Sequence, residues 1–246
     1  KKVLVSFLGT SEYEPCYYSY QGQKASWSRF VQTAIYEVLS REVNDLEVTV
    51  FTTKEAKAKN WRTGPGRDGK LLEGMFESFA RIAPEVNVKL VDISSRQDEE
   101  ANWGLFEAIM NEIQTGDEIH FDVTHSFRTN PVIALIVLNY ARLLKKATIG
   151  KMMYGWFEKL GSPAEVKKIP EADRIAPIVD FTNMALLLEW TNGVDQFIRT
   201  GDASKIKELT LEEVKQFFTG NVQGKDTTGI RQLRKLADQL EETSLA

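Results

Sequence analysis

Cysteine is nearly absent from this 246-residue chain, with Cys16 standing alone, so no disulfide can form within it. That composition suits a reducing compartment, and a cytoplasmic location is expected. Histidine is almost as scarce. Only His120 and His125 occur, which with one cysteine gives no ligand cluster for a structural metal, and none is expected. There is no basic excess either: the net charge is −4, where a protein living on duplex nucleic acid shows a strong positive balance. One basic pocket for a small anion stays compatible with that sum. No apolar run is long enough to span a bilayer, so no membrane partner is expected. The opening KKVLVSFLG has two lysines, but its apolar run is too short for a secretory signal. The first residue is Lys1 rather than Met, which leaves open that the native start is trimmed or that the chain is cut from a larger protein.

Ordinary soluble composition remains, at 42% hydrophobic and 27% charged residues, enough for a real core. VLVSFL at 3–8 is a continuous apolar run stopped by Gly9 and reads as a buried strand. A polar, aromatic loop holding Tyr13, Cys16, Tyr17, Tyr18 and Tyr20 follows. Apolar residues from Trp27 to Val43 recur at helical spacing, with Ser26 as the expected N-cap. Further strands are expected at 47–53, 86–93, 118–123 and 148–154, and a sixth at 177–180. Helices are expected at about 71–82, 99–113 (stopped by Gly116) and 131–144, while the Gly- and Pro-rich stretch 60–70 reads as a loop. Strands alternating with helices imply a mostly parallel, Rossmann-like α/β sheet covered on both faces. We assign it to residues 1–180. Residues 181–246 read as helical, breaking near Thr200-Gly201-Asp202, and form either a linker, the start of an effector or a dimerisation region.

Ligands in open α/β sheets bind beyond the carboxyl ends of the strands, where the strand order reverses. Two such ends carry chemistry: Gly9-Thr10-Ser11, and Asp122-Val123-Thr124-His125-Ser126-Phe127-Arg128. The second leads into a helix, whose free N–H groups and dipole favour an anion, and Arg128 can fork onto a phosphate. The plainer alternative is that a Ser or Thr here is an N-cap and Asp122 a backbone acceptor. Dinucleotide binding fits poorly, because GTSEYEP after the first strand lacks a G-x-G-x-x-G turn. GPGRDGK at 64–70 is not spaced as a phosphate-binding P-loop. His120 lies in a strand and reads as structural.

FLGT at 7–10 resembles the first-strand motif of CRISPR-associated Rossmann-fold (CARF) proteins, and DVTHSFR at 122–128 resembles their D-x-T-H-G motif. Asn60-Trp61, YGWFE at 154–158, VDFT at 179–182 and GDAS at 201–204 resemble one branch of Csx-type effectors, so the likeness covers about 1–205 in order. Ser126 departs from the family's glycine, adding a hydroxyl and restricting positive φ. The resemblance implies a homodimer holding a cyclic oligoadenylate on its two-fold axis, with cyclic tetra-adenylate favoured over cyclic hexa-adenylate and no other cofactor. Gly9, Thr10, Ser11 and residues Thr124, His125, Ser126, Phe127 and Arg128 would meet phosphate and ribose; Tyr18, Trp61 and Tyr154 can stack on adenine or simply pack. The family commonly carries an effector in the same or an associated chain, often a HEPN ribonuclease. Its Arg-to-His motif has no counterpart here, since no histidine follows His125. Glu213-Val214-Lys215 reads as a solvated helix face rather than a nuclease signature. Two other activities stay open: a ring nuclease that cleaves the bound messenger, and a transcription regulator using 225–235, which the acidity of the chain disfavours.

Overall fold

The computed structural model describes residues 1–125, 130–219, 235 and 239. It divides into two compact units, Lys1–Thr182 and Asn183–Ala246. The first contains β1 (Lys2–Leu8), β2 (Tyr17–Tyr20), β3 (Gln23–Lys24), α1 (Val31–Ser40), β4 (Leu46–Thr52) and α2 (Lys54–Asn60). There follow β5 (Gly64–Pro65), β6 (Leu71–Leu72), α3 (Met75–Ile82), β7 (Val88–Asp92), α4 (Glu99–Glu112), β8 (Glu118–Asp122) and α5 (Asn130–Lys145). The unit closes with β9 (Thr148–Gly155), α6 (Pro163–Val166) and β10 (Ile175–Asp180).

Eight strands form one mixed, mostly parallel sheet in the order β3-β2-β10-β9-β8-β1-β4-β7. Its centre, β9-β8-β1-β4-β7, is parallel throughout. Only β10 against β9 and β3 against β2 run antiparallel. From β1 the chain steps outward to β4 and β7, then returns to the other side of β1 for β8 and β9. The strand order therefore reverses between β1 and β8, and their carboxyl ends flank a crevice.

Parallel strands buried on both faces explain the unbroken apolar runs. Val3, Leu4, Val5, Ser6, Phe7 and Leu8 are all buried. Phe7 meets Phe51 of β4 at a centroid distance of 5.7 Å and Phe121 of β8 at 6.0 Å, an aromatic row across three strands near their carboxyl ends. Each such burial stabilises by about 1.5–3 kcal/mol. The row also makes a rigid floor for whatever sits above it.

The structure departs from the sequence reading in three places. First, α1 begins at Val31, and Ser26 is not its N-cap. Cys16 and Ser28 exchange backbone hydrogen bonds of 3.1 and 3.2 Å, holding the chain extended through Ser28, and the Ser28 Oγ accepts from the Phe30 N–H. Tertiary pairing overrides local helical spacing here. Second, the aromatic loop contains β2, which turns into β3 through Gln21 (φ 49°) and Gly22 (φ 79°), the double left-handed geometry of a two-residue hairpin. Third, the polar stretch after β4 forms α2, capped where the Thr53 Oγ1 accepts from the Ala56 N–H, and Gly64–Pro65 pairs with Leu71–Leu72.

His120 is buried in β8 with its ring against Gly150, where a Cβ would come within 2.4 Å of Cε1. Burial holds its pKa down, leaving a neutral packed ring. The VDFT run is also structural: Asp180 accepts from the Tyr20 hydroxyl (2.8 Å), Lys151 Nζ (2.9 Å) and the Thr182 N–H (2.9 Å).

In the second unit, α7 (Thr182–Thr200) and α8 (Ser204–Thr219) are joined at Gly201, whose φ of +74° calls for glycine. Asp202 starts α8 by accepting from the Ser204 N–H, and a Cβ on Gly193 of α7 would meet Lys205 of α8 at 3.3 Å. Among the described residues no helix is long and apolar enough to cross a membrane.

Candidate functional site

Three side chains and one glycine tie the strand ends at the crevice. The Ser6 Oγ of β1 donates to Asp122 Oδ2 of β8 at 2.6 Å, fully buried. The other carboxylate oxygen accepts from the Thr124 N–H at 2.9 Å and turns the chain directly after β8. The Thr124 Oγ1 then accepts from the Gly155 N–H at the end of β9 at 2.8 Å. Gly155 is required there, because a Cβ would meet the Val31 methyl at 2.2 Å. Asp122 and Thr124 thus build the crevice wall, and the turn they fix presents His125 to it.

The opposite wall is the loop after β1. Asn60, buried at the end of α2, donates through Nδ2 to both the Gly9 and Ser11 carbonyls at 2.8 Å, and Lys59 Nζ donates to the Thr10 carbonyl. The Tyr13 hydroxyl sits over Gly9, where a Cβ would lie 2.6 Å from it. Its ring stacks on His125 at a centroid distance of 4.4 Å and meets Phe30 edge-on at 5.8 Å. Burial pushes the Tyr13 pKa up and the His125 pKa down, so both are neutral near pH 7. Because one amide holds two loop carbonyls, Asn60→Ala should lower the melting temperature by several degrees, about 2 kcal/mol. An unchanged melt would show that the loop does not depend on Asn60.

Between these walls lies a cavity of about 520 Å³, lined by Ser11, Glu12, Tyr13, Glu14, Tyr18, Arg29, Thr124, His125, Phe157, Glu158, Gly161, Ser162 and Pro163. A second hollow of about 200 Å³ shares Ser11, Tyr13, Thr124 and His125 and extends over Gly9, Thr10 and Phe7. Among the described residues the larger cavity carries three carboxylates and one cation. That cation, Arg29, is 8% exposed and donates to the Tyr13 carbonyl (3.0 Å) and the Glu73 carbonyl (2.7 Å). Burial lowers its pKa, offset by Glu12, Glu14 and Glu73. Glu14 pairs with Lys167 at 3.0 Å, and Glu158 accepts from the Tyr154 hydroxyl at 2.7 Å. Aromatic walls with carboxylate acceptors suit a flat ring bearing amine donors, such as a purine base. They disfavour a phosphate, which would need cations or free N–H groups.

Of the residues singled out from sequence, Gly9, Thr10, Ser11, Thr124 and His125 converge on these two hollows. Tyr18 forms part of the larger cavity's lining but is 2% exposed and belongs to the core. Trp61 packs edge-on to Phe76 at 5.7 Å, and Tyr154 edge-on to Phe181 at 6.3 Å; neither lines either hollow. Ser126, Phe127 and Arg128 lie outside the described residues. The sequence reading missed Tyr13, Glu12, Glu14 and Arg29. The only signal for them was position, within the loop after β1 and just before α1.

No family model matches the chain. It is 26% identical over 204 residues to CRISPR-associated protein MJ1674 of Methanocaldococcus jannaschii, an alignment covering 78% of this chain and 30% of that protein. The chain therefore spans less than a third of the length of the relative it matches. This similarity supports a CRISPR-related role.

Proposed function

We propose that this chain is the sensor part of a CARF-type protein that binds cyclic oligoadenylate across a homodimer and controls an effector in the same or an associated chain. The observation that carries the reading is the pair of adjoining hollows at the strand-order reversal, lined between them by the two segments that resemble the family's motifs, Gly9–Ser11 and Thr124–His125. A Rossmann-like sheet places ligands there. The cavity's aromatic and carboxylate lining suits adenine, whose exocyclic amine donates hydrogen bonds. The phosphates would lie beyond it, toward the start of α5. Each chain supplies one such cavity, and a ring of four equal units on a two-fold axis gives each copy half.

Calorimetric titration with cyclic tetra-adenylate should give one ring per two chains and a Kd below about 1 µM. Cyclic hexa-adenylate should bind more weakly. Absence of heat or competition with either ring overturns the reading. The ligand recovered afterwards is examined by mass. An intact ring marks a sensor, whereas linear products mark a ring nuclease. The neutral His125 favours considering the second outcome, because it can accept the proton of a ribose 2′-hydroxyl attacking the adjacent phosphate.

A further inference from the structure

Tyr13 stands between the two hollows of the crevice rather than inside one of them. The cavity of about 520 Å³ and the hollow of about 200 Å³ have Ser11, Tyr13, Thr124 and His125 in common, so these residues draw the boundary between them. Across that boundary the rings of Tyr13 and His125 meet at a centroid distance of 4.4 Å and an angle of 38°. The Tyr13 hydroxyl lies on Gly9, 2.6 Å from where a Cβ would stand. A glycine at a strand end leaves room for a ligand to approach the backbone closely. Here the protein's own phenol fills that room.

The chemistry differs on the two sides. The larger cavity offers the aromatic and carboxylate lining that suits a base. The smaller one offers the hydroxyls of Thr10, Ser11, Thr53 and Thr124 beside the Gly9 backbone, groups that can bond a ribose or phosphate oxygen. A nucleotide with its base on one side and its sugar and phosphate on the other must therefore cross at Tyr13 and His125.

We infer that Tyr13 is a gate: closed on His125 and Gly9 in the free chain, it swings aside so that one nucleotide unit can lie across the boundary. The nucleotide part of this inference rests on the ligand reading above. The loop is held in a way that permits such a swing. Arg29 Nε donates to the Tyr13 carbonyl at 3.0 Å. On one side Glu12 accepts from the Arg67 N–H at 3.0 Å, and on the other Glu14 pairs with Lys167 at 3.0 Å. These bonds fix the main chain and both neighbours, while the Tyr13 ring is left to its contacts with His125, Phe30 and Gly9. Ring contacts of this kind are individually weak, so a change of rotamer opens the boundary without releasing the loop. Opening also uncovers the His125 imidazole.

Rapid-mixing kinetics with cyclic tetra-adenylate test the gate through Tyr13→Leu, which removes the ring and keeps apolar bulk against Phe30. Loss of one aromatic pair shifts a closed-to-open balance by up to about tenfold, and association should speed up by that factor. A ring that only touched the bound ligand would leave association unchanged and speed dissociation instead. Because Tyr13→Leu can fail to fold, Tyr13→Phe is the second variant. It keeps the ring and loses the hydroxyl on Gly9, so association should quicken by a smaller factor. An arm without ligand uses diethyl pyrocarbonate, which acylates uncovered imidazoles, with the modified peptides read by mass. His125 should react severalfold faster in Tyr13→Leu than in wild type, while the buried His120 stays slow in both. Equal His125 rates in the two chains, or a wild type that binds while neither variant associates faster, overturns the inference and leaves the ligand reading standing. The expected acylation pattern in a chain that ignores both cyclic adenylates overturns the ligand reading and leaves Tyr13 as the cover of His125.

Discussion

Asp122→Ala is expected to lower stability by about 3 kcal/mol, shifting the melting temperature down by roughly 10 °C for a unit of this size. The carboxylate is fully buried and accepts one hydrogen bond from each wall of the crevice, the Ser6 hydroxyl and the Thr124 N–H. Alanine leaves both donors without their acceptor, in a place water does not reach. Asp122→Asn is the informative partner. Its amide oxygen can still accept from Thr124, while its NH2 can donate to the Ser6 oxygen, so the expected cost falls to about 1 kcal/mol. Ser6→Ala should also cost about 1 kcal/mol. The Ser6→Ala and Asp122→Ala double variant should cost less than the sum, because the two residues share a bond. If Asp122→Ala melts within a degree or two of wild type, the tie is not what holds the strand ends together.

That pair illustrates what sequence could and could not show. The apolar runs of β1, β4 and β8 and the helical spacing of α4 and α5 are local patterns, and each yields its element within a few residues. The placement of Gly9–Ser11 beside Thr124–His125 follows from the Rossmann-like order alone. By contrast, β2 exists because Tyr17–Ser19 pairs with Ile175–Pro177, more than 150 residues away, and no window of sequence contains that pairing. The helix α2 is polar except for its alanines, so it lacks the stripe that marks a packed helix; a threonine cap and Asn60's grip on the β1 loop define it instead. Tyr13 stayed hidden because its partners Gly9, Phe30 and His125 come from three different segments. Trp61 has the opposite history. Its residue type suggested base stacking, and its surroundings are Phe76 and the core.

The charge distribution of the crevice leads to the largest effect expected on binding. A cyclic adenylate carries one negative charge per phosphate, yet the larger cavity offers Glu12, Glu14 and Glu158 against Arg29. Arg29 is already committed to the carbonyls of Tyr13 and Glu73, and Lys59 beside the loop is committed to the carbonyl of Thr10. Neither can turn to a phosphate without releasing the loop it holds. On the proposed reading, the phosphate charge is met at residues 126–129, outside the described residues, where the sequence places Arg128 two positions before the first residue of α5. A charged hydrogen bond of this kind contributes about 2 kcal/mol, and a symmetric dimer has two, so Arg128→Ala should cost about 4 kcal/mol in all. By affinity arithmetic that is roughly a thousandfold in Kd. Titration of Arg128→Ala with cyclic tetra-adenylate reads this directly, and its melting temperature should stay near wild type. Arg128→Lys should recover only part of the loss, because an ammonium keeps the charge but not the fork. If Arg128→Ala binds as wild type does, the phosphates are held elsewhere, and the Gly9–Ser11 loop becomes the place to look. If it unfolds instead, Arg128 holds the fold rather than the ligand.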